Sequence, residues 1–380
     1  MKINFHLVSI LSILVLSLTS CETKKAEKET ISKYESKHQI KYAKGFDIQY
    51  FEKYKKLIIK APYPDSKEVF EYIITDDKSI TIEGIQKIQT PTQKVVVTST
   101  THIPVLELLG VEDRLVGFQN TRYVSSEKTR KRIDSGLVRE LGKKSALNTE
   151  VLFELEPDLV IGFSMTKTNK TYNIIEQNSI PVLINGDWLE ETPLGRAEWI
   201  KFFGVLFSKE QEADSIFRKI ESNYLAAKKI AMDSKTTPTV LSGAVMSKGI
   251  WNLPAGESYV AQYLKDANTN YLWKDSKGKG SLSLSFESVF DKGQKAEYWI
   301  APGYFATKEQ MLGTNKHYED FSAFKNNKIY TPSTKTGKTG GVIYFELAPT
   351  RPDLVLKDII KITNPSLLPD YELTFFELMK

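Results

Sequence analysis

A long tract of helical pattern in the middle of the chain constrains its fold most. In residues 208–232 apolar side chains recur at helical spacing, with Phe217 and Tyr224 among them. Ser208, followed by Gln211 three residues later, predicts a capping box at the start of this helix. A helix of this length spans about 36 Å, which is longer than one small lobe requires. The tract therefore predicts a helix that joins two separately packed lobes.

Strands and helices alternate on both sides of this tract. Residues 95–97 and 159–162 before it are short continuous apolar runs of the kind found in buried strands, and residues 239–242 and 298–300 follow it with a similar pattern. Such alternation predicts parallel α/β layers. We expect an α/β protein with two Rossmann-like lobes joined by a single long helix, plus a small N-terminal β element.

The amino terminus indicates export and lipidation. An apolar run at residues 7–18 is too short to span a membrane and is typical of a signal peptide. It leads to Cys21, the single cysteine of the sequence, which follows small residues as in a lipobox. An ordinary secretory signal with an incidental cysteine is the alternative. The polar, charged residues 22–44 predict a flexible tether, or otherwise a solvated helix.

Polar and apolar residues alternate from residue 46 to residue 82, with prolines between the apolar runs, and this pattern predicts the small antiparallel β element. The predicted organisation is a signal peptide (1–20), a lipidated cysteine with its tether (21–45), the β element (46–90), an N-terminal α/β lobe (91–190), a helical connection containing the long inter-lobe helix (191–235), and a C-terminal α/β lobe with closing helices (236–380).

Several functional classes are disfavoured by composition and motifs. The 52 basic and 47 acidic residues leave a net charge of +5 without an arginine-rich stripe or zinc finger, which argues against nucleic acid as a partner. A Walker A sequence and a serine nucleophile elbow are both missing, so we predict that the chain is not an enzyme. His102 and His317 stand alone, which argues against a receptor for bare zinc or manganese ions. We therefore predict neither a resident cofactor nor a metal site.

Aromatic residues follow several predicted strands. The carboxyl ends of strands in α/β lobes face the ligand crevice. Aromatic walls suit a large, flat or hydrophobic chelate, and arginine suits its anionic oxygens. Ordinary core packing is the alternative for each aromatic residue. The predicted ligand-binding residues are Arg122, Tyr123, Phe163, Trp188, Trp251, Tyr304 and Tyr344.

Five short segments carry a family resemblance over about residues 94–369. In chain order they are Gly142 with Asn148-Thr149-Glu150 and residues 155–160, Trp251 with residues 256–259, residues 285–287 ahead of Tyr298-Trp299, Tyr344-Phe345-Glu346, and Asn364-Pro365. Together they resemble the class III periplasmic binding proteins of ABC importers, which serve iron–siderophore, haem and cobalamin uptake.

This resemblance implies two lobes with the ligand between them and a long helix that keeps closure small. It also implies that Glu150 and Glu287, which lead two similar helices, pair with arginines of the permease. The alternative is that each glutamate only favours the dipole of its own helix. The implied partners are a metal chelate, the permease with its ATPase, and a membrane held through the lipid anchor, with the protein a monomer on the periplasmic or outer face of the cell envelope.

The resemblance orders the ligands as iron–siderophore first, then cobalamin, then haem. Haem would normally require an axial Tyr, His or Met, which His102 or a tyrosine of the cleft could supply. A lipoprotein that binds a protein or cell-wall partner and imports nothing is a second hypothesis. An enzyme on the related two-lobed metalloprotein scaffold is a third, but the cysteines for an iron–sulfur cluster are missing.

Overall fold

The structure, a computed structural model, describes residues 38–142, 147–247 and 249–380. The predicted signal peptide, Cys21 and most of the predicted tether lie outside the described residues. Among the described residues, no helix is both long and apolar enough to cross a membrane.

The small N-terminal β element is a four-stranded sheet in which the strands follow one another in chain order. The first three strands pair antiparallel, as the alternating pattern predicts, and the last pair is parallel because the chain crosses over between them. The strands are β1 (Phe46–Tyr50), β2 (Lys55–Ile59), β3 (Phe70–Thr75) and β4 (Gln86–Gln89).

The N-terminal lobe has a five-stranded, fully parallel sheet covered by helices. Its strands are β5 (Val95–Val97), β6 (Leu115–Phe118), β7 (Arg139–Glu140), β8 (Leu159–Gly162) and β9 (Val182–Ile184), in the spatial order β7-β6-β5-β8-β9. Its helices are α1 (His102–Leu108), α2 (Glu127–Asp134), α3 (Thr149–Leu155) and α4 (Lys170–Gln177). The strands β5, β8 and β9 are buried throughout, which agrees with their continuous apolar sequences.

The helical connection consists of α5 (Pro193–Glu198), α6 (Ile200–Phe207) and α7 (Glu210–Met232). The buried face of α7 is shared between two cores. Phe217 and Ile220 pack in the core of the N-terminal lobe, whereas Tyr224 and Ala227 pack in the core of the C-terminal lobe. The predicted fold class, two α/β lobes joined by one long helix, is confirmed.

The C-terminal lobe contains a five-stranded sheet and a smaller antiparallel one. Its strands are β10 (Thr239–Ser242), β11 (Ala244–Ser247), β12 (Ile250–Pro254), β13 (Asn270–Tyr271), β14 (Ser281–Ser285), β15 (Tyr298–Ile300), β16 (Ile329–Thr331) and β17 (Glu377–Leu378). The order β13-β10-β15-β16-β17 forms the larger sheet and β11-β12-β14 the smaller. The helices are α8 (Tyr259–Asp266), α9 (Phe286–Gly293), α10 (Lys308–Thr314), α11 (Ser322–Lys325), α12 (Ile343–Leu347) and α13 (Pro352–Thr363).

The β element is built into the N-terminal lobe. Its apolar residues belong to the same buried cluster as the helical connection, and the rings of Phe46 and Trp199 lie 4.6 Å apart. Residues 38–45, which we call the strap, pack against this connection. The buried carboxylate of Glu198 accepts hydrogen bonds from three successive strap backbone N–H groups, at 2.6 to 3.0 Å. The prediction of a flexible tether is therefore wrong for residues 38–45, because distant carboxylates hold their backbone.

Candidate functional site

The N-terminal lobe presents aromatic side chains where its parallel strands end. Tyr123 follows β6 and is 58% exposed, and Phe163 follows β8 directly and is 41% exposed. Trp188 follows β9 in a short 3₁₀ turn. Because the carboxyl ends of parallel strands meet at one edge of the sheet, these three rings lie on the same edge of the lobe. We call this the carboxyl edge.

Trp188 has an unusual feature for a half-buried side chain. Its indole N–H is shielded from solvent and has no hydrogen-bond partner among the described residues. A buried donor without a partner costs about 1–3 kcal/mol. Because the residue is half-buried while its N–H is shielded, the ring is the part of Trp188 that a ligand can contact.

In the C-terminal lobe, the structure brings Tyr304 and Tyr344 together through a third ring. Tyr304 is 67% exposed, and its ring lies 5.6 Å from that of Phe345, which lies 5.6 Å from Tyr344. Tyr344 is half-buried against Phe375, and burial raises the pKa of its phenol, so the hydroxyl stays protonated. Phe345 was missed among the candidate site residues, although it lies within the segment Tyr344-Phe345-Glu346 that carries part of the family resemblance.

The two lobes are fastened together beside these aromatic residues. The carboxylate of Glu346 on α12 accepts hydrogen bonds from the backbone N–H groups of Ser125, at 2.6 Å, and Ser126, at 2.9 Å, in the N-terminal lobe. We call these three residues the interlobe clasp. Burial raises the pKa of the Glu346 carboxyl to about 7, although the two N–H groups act in the opposite direction. The clasp thus links lobe contact to the ionisation of one buried carboxyl.

The glycine-rich loop of residues 337–341 takes part in this contact. A Cβ atom on Gly341 would lie 2.2 Å from the backbone oxygen of Tyr123, and one on Gly337 would lie 2.5 Å from that of Ser125. Only glycine permits so close an approach between the backbones. The loop is therefore a docking segment between the lobes.

Arg122 is exposed beside Tyr123, and its backbone oxygen accepts a hydrogen bond of 2.8 Å from the Thr339 hydroxyl of the same docking loop. Its role in binding an anionic ligand group stays a prediction.

The structure contradicts the prediction that Trp251 forms a ligand wall. Its side chain is fully buried, stacks on Trp299 at 5.2 Å and donates from its indole N–H to the backbone oxygen of Ser242. Trp251 lies in β12 of the small antiparallel sheet, on the side of the strand that faces the core. It is a packing residue of the C-terminal lobe.

His102 is also buried, with its ring 5.3 Å from that of Phe203. Burial lowers the pKa of its imidazole to about 4, so the ring is neutral at physiological pH. It does not reach the surface where a haem iron could bind. Within residues 38–142, 147–247 and 249–380, no group of three or more metal-ligating side chains is gathered that could hold a metal ion.

Glu150 and Glu287 occupy equivalent positions in the two lobes. Each is exposed in the first turn of its helix, α3 or α9, behind an N-cap whose side chain accepts a backbone hydrogen bond. Both the docking role and the helix-dipole alternative fit this placement, and docking stays a prediction.

Comparison with known proteins places these features in a family context. A family model described as periplasmic binding protein matches residues 95–335. An uncharacterized lipoprotein of Methanocaldococcus jannaschii is 25% identical over 363 residues, which cover 89% of this chain and 84% of the relative.

Two solved structures share the fold. A possible iron-binding (periplasmic solute-binding) protein of Staphylococcus epidermidis has a TM-score of 0.56 and 17% identity, covering 72% of this chain and 100% of that one. A periplasmic heme-binding protein of Vibrio cholerae has a TM-score of 0.54 and 17% identity, covering 70% and 99%.

Proposed function

We propose a function that proceeds from one fact: this chain belongs to the periplasmic binding protein family. It is a lipid-anchored, extracytoplasmic receptor of an ABC importer, which captures a metal chelate between its lobes and delivers it to the permease. The observation that carries this proposal is the set of exposed aromatic rings at the carboxyl edge and around Phe345, on two lobes joined by α7. Members of this family are binding proteins, which supports a receptor over an enzyme.

The chemistry of the candidate site favours a chelate over a bare ion. Aromatic walls bury flat or hydrophobic ligand surface, whereas a bare ion needs several His or carboxylate ligands, and the described residues gather no such group. The structural relatives named above are described as iron-binding and heme-binding, which supports iron in complexed form as the cargo. We place an iron–siderophore first, with cobalamin and haem as alternatives.

Haem ranks behind the siderophore for a structural reason. His102 is buried away from the surface, so an axial ligand would have to come from an exposed side chain such as Tyr123, Tyr304 or Met165. A siderophore supplies all of its own iron ligands and needs only contact surface and hydrogen bonds from the protein.

The lipid anchor is supported by the sequence before Cys21 and by the lipoprotein relative. Several acyl chains on one cysteine would hold the receptor stably at a membrane. The hypothesis of a lipoprotein without a transport role rested on the β element as an added module. The β element shares its core with the N-terminal lobe, so it is not a separate module and this argument for the hypothesis no longer applies.

Ligand titration tests the proposal. Residues 29–380 are titrated with ferric siderophores of several chemistries, cobalamin and haemin while tryptophan fluorescence is followed. We expect saturable one-to-one quenching by one of them at micromolar concentration or below. If the folded protein responds to none of them, the receptor proposal fails.

A pair of tryptophan variants then locates the site. Of the five tryptophans, only Trp188 is partly exposed, while Trp199, Trp251, Trp273 and Trp299 are at most 6% exposed. Trp188→Ala should weaken binding by about 1–3 kcal/mol, as a central contact residue does. Trp251→Phe, a change in the core, should leave affinity unchanged. Equal affinities for both variants would remove Trp188 from the site.

A further inference from the structure

A cavity of about 270 Å³ lies between the β element and the N-terminal lobe. We call it the element pocket. Tyr63, Phe70 and Tyr72 of the β element line one side, and Tyr172 and Glu176 of α4 line the other. The β element precedes residues 95–335, the span that matches the family. Sites for whole drug-sized ligands are about 300–1,000 Å³, so this pocket suits one small organic group.

The element pocket lies at the same carboxyl edge as the candidate ligand residues. Ser164, which lines it, comes directly after Phe163. The loop between β2 and β3 also reaches this edge, because the backbone oxygen of Ala61 lies 2.7 Å from where a Cβ on Gly186 would be, just beyond the end of β9. The β element therefore adds a wall to the N-terminal lobe beside the place where the proposed chelate binds.

A hydrogen-bonded link fixes the rim of the element pocket. The Tyr63 hydroxyl donates to the Glu68 carboxylate at 2.6 Å, and Lys167 on the opposite side pairs with the same carboxylate. The contact with Lys167 is the main reason that the pKa of Glu68 is lowered. The link joins the loop to the segment after β8 and places a carboxylate beside the Lys167 ammonium, which is 71% exposed.

The buried hydroxyls of the pocket are left with acceptor capacity. Tyr72 donates its hydroxyl proton to the backbone oxygen of Val182, and Tyr172 donates to that of Phe163. Burial raises the pKa of both phenols, so both keep their protons. Each oxygen still has lone pairs to offer. Glu176 adds a carboxylate that acts electrostatically on the Tyr72 phenol, and partial burial raises the pKa of this carboxyl. The carboxylate only accepts hydrogen bonds when ionised, and an ammonium group beside it would favour that form.

We propose that the element pocket binds a protonated organic amine, with its apolar part among the rings of Tyr63, Phe70 and Tyr72 and its ammonium group against Glu176. Two sources could supply this group. One is a free small amine, and the other is an amine-bearing arm of the metal chelate held at the carboxyl edge. Only the second source rests on the proposed receptor function.

Isothermal titration calorimetry on the full-length protein in detergent tests the inference. The probes are phenethylamine, a ferric trihydroxamate with a free terminal amine, and the same chelate with that amine acetylated. Glu176→Gln keeps the shape of the side chain and removes its charge, so it should weaken amine binding at least tenfold. Glu83→Gln, an exposed change on the β element away from the pocket, is the matched control and should bind like the wild type.

The outcomes separate this inference from the proposed function. Phenethylamine binding that is lost in Glu176→Gln supports a site for free amines. A preference for the free-amine chelate over its acetylated form that disappears in Glu176→Gln supports a site for the arm of the chelate. Chelates that bind without such a preference, together with no phenethylamine binding, overturn the pocket inference and leave the receptor proposal intact. Amine binding without any chelate binding supports the pocket inference and overturns the receptor proposal.

Discussion

Single buried carboxylates fasten distant parts of this chain by accepting backbone hydrogen bonds. Glu198 holds the strap, Glu346 holds the two lobes together, and Asp358 holds the carboxyl-terminal segment through the N–H groups of Phe375 and Phe376. A buried carboxylate is tolerable only when it is satisfied in this way. Each of these residues is therefore a point where one substitution should have a large effect.

The first residue-scale prediction concerns Glu198. Its side chain is fully buried and also pairs with Lys201 at 3.0 Å. Glu198→Ala would leave the Lys201 ammonium and several strap N–H groups without this acceptor, and breaking a buried pair costs about 3–5 kcal/mol. We expect a loss of this size in the free energy of unfolding, measured by urea denaturation.

Glu212→Ala is the matched control for this substitution. Glu212 also pairs with a lysine, Lys209, but both side chains are well exposed. Exposed pairs contribute about 0–1 kcal/mol. If both variants lose equal stability, the fastening role of Glu198 is wrong.

Trp251 shows what sequence cannot decide at this scale. An aromatic residue near the end of a predicted strand can face the ligand crevice or the core, and the local sequence is the same in both cases. The face of β12 from which the Trp251 side chain projects is set by the pairing of β12 with β14. That strand begins at Ser281, some distance along the chain. We expect Trp251→Ala to cost about 3–5 kcal/mol in stability because it leaves a cavity. A thermal melt beside a ligand titration would show whether affinity falls instead.

At the scale of elements, the sequence predicts those whose determinants are local. The buried strands β5 and β8 are continuous apolar runs, and α7 has a sustained helical period, so all three were predicted. The start of α7 was not predicted correctly. Ser208 has a positive φ of 56° and ends α6, so α7 begins at Glu210 without the capping box.

The sequence of the strap contains no local feature that predicts an ordered structure. Its composition resembles that of a solvated tether, and its partners Glu190 and Glu198 are more than a hundred residues away in the chain. Hydrogen bonds from backbone N–H groups to such distant carboxylates leave no periodic pattern in the sequence of the strap. The predicted boundary of the tether at residue 45 was therefore wrong for a physical reason.

Deletion of the strap should destabilise the N-terminal lobe. Without residues 38–45, the buried carboxylates of Glu190 and Glu198 lose their backbone donors, and an uncompensated buried charge costs several kcal/mol. We expect a clear fall in the urea midpoint of the deleted chain.

The control keeps the strap backbone and removes its charges. The side chains of Lys41 and Lys44 are 61% and 72% exposed, while their backbone N–H groups make the buried contacts. The double variant Lys41→Ala, Lys44→Ala should therefore unfold close to the wild-type midpoint. A large loss in this variant would assign the effect to charge and not to the backbone.

At the scale of the whole molecule, the interlobe clasp should make stability depend on pH. The groups around Glu346 are the hydroxyl and backbone of Ser125, the backbone of Ser126 and the nearby carboxylate of Glu107 on α1. Asp134 and Lys338 pair farther along the same contact. The pKa of Glu346 is raised from 4.5 to about 7 when the lobes are docked. Its contribution is therefore fully present below about pH 4.5 and is lost as pH rises through about 7.

A pKa raised from 4.5 to about 7 corresponds to at most about 3.4 kcal/mol. We expect the wild type to lose part of this stability between pH 5 and pH 8 relative to Glu346→Gln, which does not titrate. Urea denaturation of both proteins at several pH values measures the difference. Parallel pH profiles would exclude Glu346 as the titrating group.

The last whole-molecule prediction concerns delivery to the permease. Glu150 and Glu287 lie one on each lobe, exposed in first helical turns, so a permease that contacts both lobes could read both charges at once. The double variant Glu150→Ala, Glu287→Ala should abolish uptake in cells and leave ligand affinity unchanged. The matched control is the double variant Glu127→Ala, Glu309→Ala. These two glutamates are likewise exposed in the first turns of α2 and α10, so the control loses equivalent interactions with helix dipoles. Since both pairs lose equivalent dipole interactions, only a docking role predicts that the first pair stops transport and the second does not.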